Sequence, residues 1–246
     1  VCLIISPWNY PFSLCLGPLV SALAAGNAVV LKPSELTPNV SLVIRRLVDE
    51  IFDPAVVTAF TGGAEVSQAL LTLPFDHIFF TGSPAVGRIV MKAAAENLAS
   101  VTLELGGKCP AIVAAKSRIR DAAKRIAFTK FLNNGQTCVA PDYVLVDEDI
   151  REHFVEELVT QIRMLFTEHG ESFETSKHYC RIINEKHFVR LNELLEDSLI
   201  NGAKIEFGGK LDQSSRFFHP TILTQVSLTS RIMEEEIFCL LLPIIS

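Results

Sequence analysis

Short aliphatic runs alternate with helical patterns from the start of the chain: "AVVLK" (28–32), a helix opened by Thr37-Pro38, "VVTAF" (56–60), a helix over 64–72, then "HIFFTG" (77–82). Parallel neighbours in a sheet need a crossover, and a helix supplies it, so this rhythm predicts βαβ units and a parallel sheet. Thr37 and Ser83 each precede a proline. That pairing suits an N-cap followed by a first helical residue that needs no N–H partner. A helix over 84–98 follows, and "SVTLELGGKCPAIVA" then reads as two strands hinged on Gly106-Gly107. The hinge sets the expected boundary, with residues 1–105 in one α/β domain and residues 106–246 in a second. In the second, helices are expected over 119–132, up to about 166, and over 184–199, with the strand "YVLVDED" among them. The polar segment "TEHGESFETSKHYC" (167–180) has no periodicity and is predicted to be a long surface loop.

Composition narrows the partners. A chain of 246 residues with 49% hydrophobic content has ample material for a core. Its net charge of -6, with no Lys/Arg stripe, excludes nucleic acid as the expected partner. Six scattered cysteines form no CxxC and no Cys/His pair at zinc-ligand spacing, so no metal is expected, and free thiols in a reducing, cytoplasmic setting are. Residues 12–31, "FSLCLGPLVSALAAGNAVVL", are uncharged for about the length of a membrane span. Gly17-Pro18 and Gly26-Asn27 are expected to break the stretch into a turn, a short helix and a strand, which makes it buried core. The chain starts and stops in apolar sequence, as a piece of a longer protein would.

Several segments carry chemistry. No GxGxxG and no GxxxxGK[ST] occurs, but strand-"FTGSPAVG"-helix does. There Gly82, Ser83, Val86 and Gly87 open a helix N-terminus, whose N–H groups and positive potential suit a pyrophosphate. A tight βα turn with a serine cap accounts for the same residues. Lys32 and Glu35, in "KPSE", stand just beyond a strand end, where ligands of parallel sheets gather; an ordinary solvated pair is the plainer reading. Glu104 ends an alternating strand. If turned inward, its pKa would rise toward that of a general base; if turned outward, it is only a surface carboxylate. Asn9, in "SPWNYP", offers an amide to an oxyanion or to its own turn. Cys138 follows Gly135-Gln136-Thr137, and the glycine lets the loop turn sharply and present sulfur and backbone N–H together. Cys15 and Cys239 lie in apolar runs and read as core. The histidines, His169 among them, form no HExxH and no dyad with a cysteine, so they read as surface or satisfied residues.

Taken together and in order, "PWNYP", "KPSE", "FTGSPAVG", "LELGGK", "NNGQTC" and "EEEIF" make the chain resemble the aldehyde dehydrogenase superfamily nearly end to end, with wording closest to its class 3 branch. The resemblance implies a Rossmann-like open parallel sheet that binds NAD or NADP, followed by an α/β catalytic domain. It makes Cys138 the nucleophile, Glu104 the general base, and Asn9 an oxyanion donor beside the Cys138 N–H. Lys32 and Glu35 would hold the adenosine ribose, Gly82 through Gly87 the phosphates, and Glu236 with Phe238 the nicotinamide riboside. A homodimer acting on a small aldehyde is implied as well. Two other readings share the scaffold: an acyl-phosphate or acyl-CoA reductase, and a non-catalytic nucleotide-binding module. One departure stands out, since the family continues "EIF" with Gly-Pro and this chain with Cys239-Leu240, which is expected to alter the loop carrying Glu236 and Phe238.

Overall fold

The computed structural model describes residues 1–167 and 170–246; the expectation that His169 is a surface residue lies outside the described residues. The chain divides into two compact units, Val1–Gly106 and Gly107–Ser246.

In the first unit, β1 (Cys2–Ile5), α1 (Ser13–Ala24), β2 (Val29–Lys32), α2 (Pro38–Ile51), β3 (Val57–Ala59), α3 (Ala64–Leu71), β4 (His77–Gly82), α4 (Pro84–Glu96) and β5 (Ser100–Leu105) alternate strictly. The strands pair in parallel in the order β3-β2-β1-β4-β5. Helices cover both faces, which is why β1 is apolar throughout. Cys2 and Ile4 pack with Cys15, Leu19, Ile44 and Val48 from α1 and α2, while Leu3 and Ile5 pack with Leu70, Leu71, Val90 and Ala94 from α3 and α4. Each such Leu or Ile contributes roughly 1.5–3 kcal/mol of burial.

Two local expectations are corrected here. Helix α1 runs through Gly17-Pro18 instead of breaking there. Pro18 removes one backbone donor, but Cys15 and Leu19 are buried against the sheet and hold the turn on either side. Thr37 also fails as a side-chain cap: its hydroxyl donates to the Ser34 carbonyl at 3.4 Å instead, while Pro38 does open α2. Among the described residues no helix is long and apolar enough to cross a membrane.

The second unit contains β6 (Pro110–Val113), α5 (Ile119–Phe131), β7 (Tyr143–Val146), α6 (Arg151–Phe166), α7 (Glu185–Ile200), β8 (Lys204–Phe207), β9 (Leu211–Asp212), β10 (Phe217–Phe218), β11 (Thr221–Thr224), α8 (Arg231–Glu234) and β12 (Leu241–Ile245). Its main sheet runs β6-β7-β12-β11-β8, parallel except for β8, and β9 and β10 form a separate antiparallel pair. The polar segment before α7 is not wholly a surface loop. Phe173 and Tyr179 are buried, the Tyr179 ring meets Phe166 edge-on at 5.1 Å, and its hydroxyl donates to the Phe218 carbonyl at 2.5 Å. Aromatic area buries whatever the polarity of its neighbours in sequence, and a periodicity search does not see two isolated rings.

Candidate active site

In the first unit every candidate residue stands at the carboxyl edge of the parallel sheet. The chain leaves β1 toward β2 and β3, then returns to place β4 on the other side of β1, so the strand order reverses between β1 and β4. Such a switch point is where a parallel sheet opens a crevice for a ligand. Asn9 follows β1, Lys32 ends β2 with Glu35 just beyond, Gly82 ends β4, and Glu104 is the penultimate residue of β5.

The residues present there fit a dinucleotide. Lys32 is buried, donates to the Pro33 carbonyl at 3.0 Å and lies 3.5 Å from the exposed Glu35 carboxylate. An ammonium carries three donors, and this arrangement leaves capacity for a sugar hydroxyl. Ser83 caps α4, as expected, by accepting the Val86 N–H at 3.4 Å. That bond is long, so an anion can compete for the same N–H group. Gly87 is buried, and a Cβ there would stand 3.1 Å from a Leu105 methyl; its bareness seats α4 closely on β5. Glu104 faces outward: it is exposed on the edge strand β5, so the inward-facing reading is not met within this unit. His77 is a satisfied residue, bonded to Ser100 at 2.8 Å and Thr102 at 3.1 Å.

In the second unit the cysteine loop is built by unusual backbone. After α5, Asn133, Asn134 and Gly135 take φ values of 50, 56 and 72°. Asparagine and glycine tolerate the left-handed region at the lowest cost, so the Asn-Asn-Gly run is what permits the turn. The Asn134 side chain is buried with neither amide atom hydrogen-bonded among the described residues, at a cost of roughly 1–3 kcal/mol. At Gly135 a Cβ would come 2.3 Å from the Cys239 carbonyl oxygen, so the two loops run backbone against backbone. Buried Gln136 then anchors the turn: its amide donates to the Asn133 carbonyl at 2.9 Å and accepts the Ile183 N–H at 3.1 Å.

Cys138 emerges half-exposed in a turn closed by the Ala140 N–H on the Thr137 carbonyl at 3.1 Å. It follows a helix and does not stand at a helix N-terminus. All six cysteines are free; Cys15 and Cys239 are buried as expected, and burial pushes the Cys239 thiol up to about 12. Burial also raises the Cys15, Cys109 and Cys180 thiols.

Glu236 is half-buried and accepts the Gly107 N–H at 3.2 Å; burial raises its pKa and that donor opposes the rise. Phe238 adopts a left-handed φ of 53°. The residues that replace Gly-Pro, Cys239 and Leu240, are fully buried and lead directly into β12. Arg190 on α7 holds the turn before them, donating to the Ile237 carbonyl at 2.6 Å, the Glu236 carbonyl at 3.2 Å and the Glu235 carboxylate at 3.2 Å. Buried Lys130, in the last turn of α5, has its pKa lowered to about 8 by burial.

Sequence reasoning did not single out Gln136, Lys130, Asp142 or Arg190. Asp142 carried a signal, a charge placed directly before the apolar strand "YVLV". Arg190 carried none, because on a charged amphipathic helix it looks like any surface residue. Among the described residues no three His, Cys, Asp or Glu side chains gather to hold a metal.

Comparison with known proteins supplies the context. The whole chain, residues 1–246, matches the aldehyde dehydrogenase family. It is 49% identical over 244 residues to 4,4'-diaponeurosporen-aldehyde dehydrogenase of Staphylococcus aureus, covering 99% of this chain and 52% of that protein. It is 46% identical over 245 residues to the dimeric NADP-preferring aldehyde dehydrogenase of Rattus norvegicus, covering 100% of this chain and 52% of that protein. The solved structure of substrate-bound Staphylococcus aureus AldH superposes with a TM-score of 0.91 at 47% identity, covering 99% of this chain and 52% of that one. The chain thus spans about half the length of the curated relatives it matches. With residues 1–246 all matching the family and the parallel-sheet fold shared with that solved structure, the chain belongs to the aldehyde dehydrogenase family.

Proposed function

We propose that the complete protein containing this chain oxidises an aldehyde to a carboxylic acid with NAD or NADP, and that Cys138 is its nucleophile. The observation that carries this is the presentation of the Cys138 thiol, half-exposed just beyond three successive left-handed residues, Asn133, Asn134 and Gly135. Strain of this kind concentrates where a side chain must be held for chemistry.

Residues 1–105 serve as the cofactor-binding domain and residues 106–246 as the catalytic domain. The Cys138 sulfur attacks the aldehyde carbon. The alkoxide that forms takes hydrogen bonds from the Asn9 amide and the Cys138 N–H, each worth a few kcal/mol in comparable sites. Bound NAD or NADP would supply the two-electron acceptor for the hydride that leaves that carbon. Glu104 then draws a proton from water, which attacks the remaining thioester and releases the acid and the thiol. Lys32 and Glu35 hold the adenosine ribose, Gly82, Ser83, Val86 and Gly87 the phosphates, and Glu236 and Phe238 the nicotinamide riboside. Glu35 beside a ribose disfavours a 2′-phosphate, which favours NAD, although the rat relative is named NADP-preferring. A homodimer is in keeping with the same name. Six free thiols support a reducing, cytoplasmic setting, and the acidic balance leaves nucleic acid out. An acyl-phosphate or acyl-CoA reductase would not need the water-activating carboxylate, so Glu104 speaks against it.

NAD(P)H formation by the complete protein, from a panel of aliphatic and aromatic aldehydes, tests the proposal. Cys138→Ala should lower turnover by about a thousandfold or more, and wild-type turnover in that variant would overturn the mechanism. Glu104→Gln should give a single burst of NAD(P)H and then stall, whereas full steady-state turnover would remove its hydrolytic role.

A further inference from the structure

Asp142 stands four residues after Cys138, directly before β7, and its side chain is almost wholly buried. One carboxylate oxygen accepts the Ile237 N–H at 2.9 Å, and the other receives the Lys108 ammonium. Lys108 also donates to the Ile232 carbonyl at 2.7 Å and the Glu235 carbonyl at 3.1 Å. The Asp142 N–H donates to the Cys109 carbonyl at 2.8 Å. Three segments distant in sequence, 107–109, 138–142 and 232–237, therefore converge on one carboxylate and one ammonium.

The geometry points to the Asp142–Lys108 pair as the positioning element that sets the Glu236–Phe238 turn against the Cys138 loop and so governs cofactor affinity. This rests on the proposed reading of Cys138 as nucleophile and of Glu236 and Phe238 as nicotinamide contacts. Neither Asp142 nor Lys108 reaches the reacting atoms; both act through the residues they hold. Gly107, next to Lys108, also orients Glu236, its N–H donating to the Glu236 carboxylate at 3.2 Å. With Cys239-Leu240 in place of Gly-Pro, the turn lacks the proline that would fix its backbone φ, and side-chain anchors carry the positioning instead. Arg190 remains as a second fastener on the same turn, so removing the pair mis-sets the turn without releasing it.

The test uses the complete protein with two variants, Asp142→Asn and the double Lys108→Met/Asp142→Asn. The double leaves no unpaired buried charge and remains informative if the single variant fails to fold. NADH binding is followed by fluorescence titration, Cys138 accessibility by iodoacetamide alkylation and mass spectrometry, and folding by thermal midpoint. The NADH dissociation constant should rise about tenfold or more in the double variant, since displacement by about 1 Å is costly at a reaction centre. Cofactor-free alkylation at Cys138 and the thermal midpoint should stay near wild type. Unchanged NADH affinity in a folded double variant overturns the inference alone, as does a parallel loss of affinity, alkylation and thermal midpoint. A wild-type protein that binds neither NADH nor NADPH overturns the functional reading and this inference together.

Discussion

At the turn from β4 into α4 the backbone passes from strand to helix through ordinary conformations, with Ser83 capping the helix, whereas Asn133, Asn134 and Gly135 all sit in the left-handed region to bring Cys138 round. The first arrangement comes almost free from topology. Strand ends of a parallel sheet line up at one edge, so Asn9, Lys32, Gly82 and Glu104 are gathered by the order of the strands alone. The second is paid for in backbone strain and an unsatisfied buried amide, and long-range polar contacts from Gln136, Lys108, Asp142 and Arg190 offset that cost. A binding edge can thus be assembled from local rules, while a loop that presents a thiol has to be over-determined by the rest of its unit.

Glycine substitutions break this comparison most directly. Gly135→Ala should destabilise the protein by roughly 3 kcal/mol or more, because a left-handed φ and a carbonyl 2.3 Å from the new Cβ leave no side chain to move aside. A urea or thermal unfolding curve equal to wild type would show that the loop is not rigidly held.

Next in size is the buried lysine. The folded-state value of Lys130 near 8 lies below its ordinary 10.5, so between those values the unfolded chain binds more protons. Stability should therefore rise with pH from about 8 to about 10.5, by roughly 3 kcal/mol, and the full cost of burying the charge is present below that window. Unfolding free energies for wild type and Lys130→Met, subtracted at each pH, isolate the effect; a flat difference would show that the ammonium is better satisfied than its burial indicates.

The glycines of the first unit should cost less. Gly82→Ala puts a Cβ 2.5 Å from the end of the Phe80 ring, a side chain that can shift within its layer, at about 1 kcal/mol. Gly87→Ala should be smallest, within about 0.5 kcal/mol of wild type, since helix propensity gains what a 3.1 Å contact with a Leu105 methyl loses. If either exceeded Gly135→Ala, the contrast between a locally built edge and a strained loop would fail.

Much of the fold was legible before any coordinates. β4 spans the residues of "HIFFTG", and α3, α5 and α6 lie close to their expected limits, because period-2 and period-3.6 patterns follow directly from which face is buried. Pro18 misled, since its lost donor was outweighed by burial of Cys15 and Leu19 in the core beneath the helix, which a local turn signal does not register. Thr37 misled for a local reason, its hydroxyl donating to the Ser34 carbonyl three residues back. Of the candidate site, the position of Asn9, Lys32, Gly82 and Glu104 near strand ends and of Cys138 in a glycine-opened loop was legible, but the outward face of Glu104 on β5 was not decided by alternation alone.

The sequence by itself determined the alternation, the parallel sheet and the Asn-Asn-Gly run before the cysteine, while the strand order that makes the switch point came from the tertiary structure. The first three depend on spacing along the chain and on the intrinsic freedom of single residues. Only the tertiary structure decided which charges are buried and whom they meet. Lys108, Arg190 and Lys130 look like surface residues in any stretch of sequence, Asp142 carried only its place before an apolar strand, and the partners of Lys108 lie up to 127 residues away. Ion pairing and desolvation depend on distance in space, which periodicity does not encode.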